Sequence, residues 1–534
     1  MKKFDSKKID RRKFIRLAGL STALPLVLNG FGVRAYSRNR FFDSLLNPNV
    51  ITDKVLVLIQ LSGGNDGLNM VIPLDQYATY NSLRTNIALP ETSVLKLTNA
   101  TGIHPGMQGI KTLYDAGKVN VVQSVTYPNP NLSHFRSNDI WMTGANYDEY
   151  LNTGWLGRYL EYEYPTYPDG YPNTDMPDPL AVQMSAVTSV AIQGTGRTMG
   201  IALQNPDTFY QLVSGSQSGG TDTAPQTPAG TELTYLRLIE TQSQQYASAI
   251  KKAADKAKNL AAYPTSNSLS DQLKIVARLI AGGLKTRVYM VSLGGFDLHS
   301  NAVLTTDTTQ GAHATLLTKI STAVSAFISD LQLLNAENRV ISMTFSEFGR
   351  RVASNSSYGT DHGTAEPMFI FGSGVNPGVT GSNPNLSDLT SGNLKMQYDF
   401  RQVYASVMDS WFGTNQTELN TIKLGTFTKL PIIKKSATSV TENSNNITEY
   451  KLHQNYPNPF NPSTTITYDL PQESNVKLIV YDASGREVTT IVNQRQSRGT
   501  YNFTFNANNI SSGTYYYRLE AGNVVMNKRM VLIK

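Results

Sequence analysis

Five short runs of almost unbroken apolar residues set the tightest bound on how this chain can fold. They are Val55–Leu61 (VLVLIQL), Val119–Val125 (VNVVQSV), Arg287–Leu293 (RVYMVSL), Arg339–Phe345 (RVISMTF) and Met368–Phe371 (MFIF). Each is short for a buried helix and too continuously apolar for a strand with one wet face. Each therefore reads as a strand covered on both sides. Between several of them lie stretches with helical patterning: Leu233–Tyr263, Leu273–Leu284 and Ala314–Asn335. Strands alternating with helices predict an α/β fold, a mostly parallel sheet sandwiched by helices. We place this domain at residues 50–430, with a Gly/Ser/Thr/Pro-rich insertion at Ser214–Glu232.

The pattern changes after Leu430. Residues 431–448 are mostly polar and read as a linker, and 449–534 alternate apolar and polar residues with period two. Ser463–Leu470, Asn475–Tyr481, Glu487–Val492, Thr500–Phe505, Thr514–Leu519 and Val524–Ile533 are expected strands, with turn signals at Asp482–Gly485 and Ser511–Gly513. Short strands at this spacing predict a small C-terminal β-sandwich.

Charge excludes one class of function. The chain carries a net +7, but residues 1–40 hold eleven Lys and Arg against two Asp, so the remainder is slightly acidic. A nucleic-acid partner is therefore not expected. The leader itself runs Asp10–Arg16 (DRRKFIR) into a modest apolar stretch, Leu17–Leu28. It resembles a twin-arginine export signal, with the twin-arginine machinery as an implied partner. The apolar stretch is shorter than the ~20 residues needed to cross a bilayer, so no transmembrane span is expected in the mature chain. The absence of cysteine excludes disulfides, thiolate metal sites and a Cys nucleophile.

The candidate chemistry sits where the strands end, the edge at which open α/β sheets place their sites. Asp66 follows the first strand in a Gly-rich loop, Ser62–Asn69, that lacks the spacing of a phosphate-binding loop. Ser133 and His134 follow the second. Ser133 reads equally as a helix N-cap and as a nucleophile. Asp297 and His299 follow the next, two residues apart in one loop. Glu347 ends the fourth strand, and Asp361 and His362 precede the last. Oxygen and imidazole donors together suit divalent zinc or a similar ion better than calcium. The chain has only six histidines. Of the others, His104 is expected to stabilise a turn, and His313 at a helix start is a further possible donor.

Seven motifs occur in order: Gly63–Asn69 (GGNDGLN), Ser133–Phe135 (SHF), Gly154–Arg158 (GWLGR), Gly295–His299 (GFDLH), Ser346–Arg350 (SEFGR), Asp361–Gly363 (DHG) and Asp399–Tyr404 (DFRQVY). Together they resemble the DUF1501 family, within the alkaline phosphatase-like superfamily. The resemblance implies a two-metal site at the strand ends. In it Asp66 matches a ligand, Asp297 and His299 an Asp/His pair of one ion, and Glu347 a carboxylate of the second. His362 matches the late histidine of the first ion, and Asp361 is a ligand or its support. The nucleophile position falls at His134, with Ser133 one residue early. The C-terminal part is also recognisable: Asn455–Ile466, Tyr481–Arg486, Gly513–Arg518 and Lys528–Lys534 resemble the sorting domain of type IX secretion substrates.

The expectation is an exported, metal-dependent hydrolase of small phosphate or sulfate esters, with Ser133 attacking and Arg136 or Arg350 steadying the anion. It would pass through the periplasm to the cell surface or beyond, by way of the type IX machinery. The alternative is a non-enzymatic surface protein that uses the same fold for binding or scaffolding.

Overall fold

A computed structural model describes residues 53–214, 225, 227–434, 449–455, 457–508 and 510–533, with two short segments, Leu26–Leu28 and Phe31–Val33. The twin-arginine motif, most of the linker and much of the Gly/Ser-rich insertion lie outside the described residues. The chain divides into two compact units, Ile51–Ser436 and a second that includes Ala437–Lys534.

The larger unit is built on one nine-stranded sheet. Its strands are β1 (Val55–Ser62), β2 (Val119–Thr126), β3 (Ala181–Gln183), β4 (Ile201–Ala202), β5 (Val288–Gly294), β6 (Val340–Phe345), β7 (Glu366–Phe371), β8 (Gly378–Thr380) and β9 (Tyr398–Asp399). They lie in the order β4-β3-β5-β1-β6-β7-β2-β8, and β9 also pairs with β2. The five apolar runs all became strands, and β1, β2, β6 and β7 are almost wholly buried. The four short strands at the margins lack a long apolar run, which is why periodicity alone did not mark them.

Helices α1 (Gln108–Asp115), α2 (His134–Thr143), α3 (Trp155–Glu163), α4 (Pro228–Lys256), α5 (Ser268–Ala281), α6 (Ala312–Leu333) and α7 (Phe400–Ser410) accompany the sheet. The amphipathic α5 turns Leu269, Leu273, Val276, Ala277 and Ile280 inward. It packs on α6, which in turn packs on α1. One continuous apolar core runs through this unit. Among the described residues, no helix is long and apolar enough to cross a membrane.

Two features of register position the site. In β5, β1 and β6, Gly294 aligns with Ser62 and Phe345 with Gln60, so the three carboxyl ends reach the same edge. β7 alone runs antiparallel to its neighbours, with Glu366 opposite Val125 and Phe371 opposite Val119. A residue before an antiparallel strand lies at the edge where the parallel strands end. That reversal brings Asp361 and His362 to the loops that follow β1, β5 and β6.

The second unit contains all six expected strands plus a short one at Lys451–Leu452. They form two antiparallel sheets, Lys451–Leu452 / Ser463–Leu470 / Gly499–Asn506 and Glu487–Gln496 / Ser474–Asp482 / Gly513–Ala521 / Val524–Leu532. In Ser463–Leu470, Ile466, Tyr468 and Leu470 are buried while their neighbours are half-exposed. These side chains join Leu478, Val480, Tyr517 and Leu519 in a core of the unit's own.

Candidate metal centre

Tight backbone contacts assemble the strand-end loops. Gly63 has φ +124°, and a Cβ there would sit 2.4 Å from Asp297 N, so only glycine lets the loop after β1 touch the loop after β5. The 355–360 segment is laced to the same loop: Asn355 Nδ2 donates to His299 O (2.9 Å), and Thr360 N to Leu298 O (3.2 Å). Helix α2, which carries His134 at its start, is fixed from behind by aromatic stacking. Trp141 stacks on Phe400 of α7 with centroids 4.4 Å apart, and Trp155 of α3 on Tyr404 at 4.2 Å. Such pairs contribute about 0.5–1.5 kcal/mol each beyond their buried area.

Four side chains gather at the mouth of these loops. His299 Nε2 lies 3.0 Å from Asp297 Oδ1 and 3.0 Å from His362 Nε2. His362 Nε2 is 3.3 Å from Asp297 Oδ1, and His134 Nε2 is 3.5 Å from Asp297 Oδ2. Ligand atoms of His134, Asp297 and His362 all fall within 4.8 Å of one another. All four residues keep partial solvent access, with Asp297 the most open at 48 % side-chain exposure.

The other nitrogen of each ring faces an acceptor. His134 Nδ1 is 2.8 Å from Glu347 Oε1, His362 Nδ1 is 2.8 Å from Leu132 O, and His299 Nδ1 is 3.4 Å from Asp361 Oδ1. A carbonyl or carboxylate can only accept, so a proton on each Nδ1 satisfies the group behind it and lets Nε2 offer its lone pair to a cation. The Nε2 atoms of His299 and His362, 3.0 Å apart, are close enough to share a proton or to flank a cation. Acceptors behind ligating histidines are the usual way of fixing tautomer and ring orientation at a metal.

Arg350 ties the centre together from below. It is buried, and its guanidinium donates to Gly64 O (2.7 Å), Thr360 O (3.0 Å), Phe296 O (3.2 Å), Gly63 O and Asp297 Oδ1 (2.7 Å). Partial burial pushes the Asp297 carboxyl up, but the Arg350 hydrogen bond and charge outweigh it and hold the group below the usual range. Asp297 is thus an anion with Oδ2 left unbonded by Arg350.

The sequence candidates therefore divide. Asp297, His299, His362 and His134 come together as donors, and Asp361 stands behind His299. Glu347 stands behind His134. Its Oε1 also accepts from Gly63 N (2.9 Å), its Oε2 from Ser346 Oγ (3.2 Å), and the side chain is buried. Asp66 does not join the group. It is buried against Arg84, whose Nη1 lies 2.7 Å from Oδ2. Burial raises the Asp66 carboxyl, yet the Arg84 charge and hydrogen bond prevail and hold it ionised.

His313 also stays apart: it is fully buried, 3.2 Å from Asn65 Oδ1, and burial drives its pKa down to about 4. His104 does stabilise a turn, its Nδ1 accepting from Gly106 N (3.0 Å). Ser133 occupies the N-cap of α2, but its hydroxyl makes no cap hydrogen bond. Neither arginine expected to steady an anion is free. Arg350 is engaged as above, and Arg136 bonds Asp139, Tyr147 O (3.0 Å) and Glu149 O (2.6 Å) while lying over the Tyr150 ring.

Sequence reasoning missed two contributors. Leu132 acts through its carbonyl, which no side-chain pattern reveals. Glu366 is a fully buried carboxyl that burial raises well above its ordinary value, accepting from Ser346 N at 2.6 Å. Its place opening an apolar strand gave no signal.

Fold and cluster together define an α/β protein with a His/Asp group at the carboxyl edge of its sheet. The chain belongs to the DUF1501 family, described as a protein of unknown function, whose model matches residues 120–423. Residues 454–534 match the secretion system C-terminal sorting domain, which indicates delivery to the cell surface or outside the cell. No curated protein matches the sequence.

Among solved structures, similarity is found to PorZ, a surface component of the type-IX secretion system of Porphyromonas gingivalis. It is 17 % identical over 19 % of this chain and 14 % of that one, with TM-score 0.12. Alkaline phosphatase from the Antarctic bacterium TAB5 is 9 % identical over 60 % of this chain and 92 % of that one, with TM-score 0.24. Phosphonate monoester hydrolase from Silicibacter pomeroyi is 8 % identical over 89 % and 88 %, with TM-score 0.30. None of these likenesses bears on activity.

Proposed function

We propose that this is an exported, metal-dependent hydrolase of phosphate or sulfate esters, working at the His134, Asp297, His299 and His362 cluster. One observation carries the reading: His134, Asp297 and His362 lie within ligand range of one another at a solvent-open mouth, His299 adjoins them, and each imidazole is backed by its own acceptor. This donor set fits a divalent ion of the zinc type. When bound, such an ion polarises the ester oxygen and offsets developing negative charge.

The protein's own groups set up the rest. Glu347, Asp361 and the Leu132 carbonyl each accept at an Nδ1 atom and so orient the Nε2 atoms toward the mouth. Both His134 nitrogens are engaged, Nδ1 on Glu347 and Nε2 at the cluster, so His134 binds rather than takes a proton. Ser133, exposed at the uncapped start of α2, is the candidate nucleophile, and the helix start favours an anion beside it. Attack by the Ser133 oxygen forms an enzyme ester and breaks the substrate ester, the alcohol leaving with the serine proton. Water then cleaves the enzyme ester, returning one hydrogen to Ser133 and giving its hydroxyl to the phosphate or sulfate.

A second reading is a surface protein that holds an ion for binding or scaffolding. It is favoured by the engagement of both Arg136 and Arg350, which leaves neither guanidinium free for an ester anion. The two readings separate on turnover. Full-length protein, loaded with zinc or stripped by chelator, is assayed against phosphate and sulfate monoesters. The hydrolase reading expects turnover that chelator abolishes and zinc restores. Zinc-loaded protein that turns over none of the esters contradicts it and leaves the scaffold reading.

A further inference from the structure

The resemblance that points to this site implies two ions, and the structure carries donors for one. We infer that the centre holds a single divalent ion of the zinc type, bound by His134, His299, His362 and Asp297, with Arg350 as a built-in cation in place of a second. The inference rests on the metal-binding part of the proposed function and narrows it.

Donor count is the first argument. Of the carboxylates a second ion would need, Asp66 is buried and paired through Oδ2 with Arg84, and Glu347 is buried with its Oε1 held by Gly63 N and His134 Nδ1. Asp361 Oδ1 accepts from Asn355 Nδ2 (3.3 Å) and faces His299 Nδ1. Among the described residues, His134, Asp297 and His362 form the group of donors close enough to hold an ion, and His299 adjoins it.

Distances are the second argument. Donors about 2.1 Å from one ion lie roughly 3.0 Å apart at a right angle and roughly 3.4 Å apart at the tetrahedral angle. The separations among His299 Nε2, His362 Nε2 and Asp297 Oδ1, 3.0, 3.0 and 3.3 Å, fall in that range, and His134 Nε2 lies 3.5 Å from Asp297 Oδ2, just beyond it.

Arg350 is the third. Its guanidinium gathers four backbone carbonyls and Asp297 Oδ1 from the loops after β1 and β5 and from Thr360. An oxygen shell of that kind suits a hard cation. Here a permanently charged side chain, on the same loop as Glu347, fills it. It pins the backbone of Gly63 and Gly64 beside Asp66 to the Asp297 loop without any ion.

The test is equilibrium dialysis of metal-free, full-length protein against zinc, with bound metal counted by mass spectrometry and folding of each variant checked by circular dichroism. Wild type is expected to bind one equivalent. His299→Ala should weaken binding at least tenfold, whereas Asp66→Asn should keep one equivalent with affinity within about threefold. Should Asp66→Asn fail to fold, Glu347→Gln serves instead, expected to keep one equivalent at weaker affinity. Two equivalents in wild type, or an equivalent lost in Asp66→Asn, overturns the single-ion assignment but leaves metal-dependent hydrolysis standing. Unchanged affinity in His299→Ala overturns the four-donor set. No bound zinc at all sinks the metal reading beneath both.

Discussion

Two clusters of the same residue types lie close together in the larger unit and behave oppositely. At the sheet edge, Asp297 with His134, His299 and His362 is partly exposed and turns its lone pairs outward. Beneath it, Asp66 with Arg84 and Asn69, and His313 with Asn65, are buried and internally bonded. Both clusters offer a carboxylate and histidine near the end of a strand. What separates them is access to solvent: Asp66 and His313 are buried, whereas Asp297 and its three histidines keep partial exposure. Arg84 meets Asp66 from inside the core, donates also to Val352 O, Arg351 O and Asn69 Oδ1, and closes that site. Arg350 meets Asp297 on Oδ1, the oxygen that also faces His299 and His362, and leaves Oδ2 facing His134. The first cluster fastens loops, and the second is poised to take a ligand.

The contrast breaks if the buried cluster proves dispensable for stability. Arg84→Met leaves Asp66 as an uncompensated buried charge, and removing one partner of a buried pair costs about 3–5 kcal/mol. Urea unfolding should show that loss, while zinc binding at 4 °C is retained. His299→Ala, half-exposed, should do the reverse, with a melting temperature within a few degrees of wild type and weakened zinc binding.

Acid sharpens it next. The pKa of His313 is lowered to about 4 and that of His104 to about 3 by burial, against 6.5 when unfolded. Between those values the unfolded chain binds the protons and the folded chain does not, so stability is intact above about pH 6.5 and falls as pH drops toward 4. For His313 the ceiling is roughly 3 kcal/mol. Unfolding measured from pH 7 to 4 should show this slope, and His313→Asn should flatten it. A slope unchanged in that variant contradicts the burial argument.

A smaller effect is expected at Glu347→Gln. Removing such supporting acceptors costs about 10–100-fold in metal affinity. The amide oxygen still accepts from His134, so the lower figure, about tenfold, is expected in zinc titration. Smallest of all is Ser133→Ala. Its hydroxyl caps nothing, so unfolding free energy should stay within about 0.5 kcal/mol, whereas a loss of 1 kcal/mol or more would reveal a capping role. Ester turnover measured on the same variant decides whether Ser133 attacks.

How far the sequence reached follows the same physics. The buried strands and the whole C-terminal sandwich were legible because periodicity reports burial directly. The short marginal strands were not, since two or three residues carry no period. That Asp297, His299 and His362 meet at the sheet edge was legible because each follows or precedes a recognisable strand. The sense of β7 was not legible, although it decides that His362 reaches the edge. The pairing of Asp66 was not legible because its partner, Arg84, is eighteen residues away on no recognisable motif. His134 and Glu347 were placed at the site, but their roles turn on which ring nitrogen faces which atom, and no spacing encodes that.

The most direct measurement is anomalous diffraction at the zinc edge from crystals of the zinc-loaded protein. A single peak is expected, about 2.0–2.2 Å from the Asp297 carboxylate and from the Nε2 atoms of His134, His299 and His362. A peak against Asp66, or an empty Asp297 cluster at saturating zinc, would contradict the assignment.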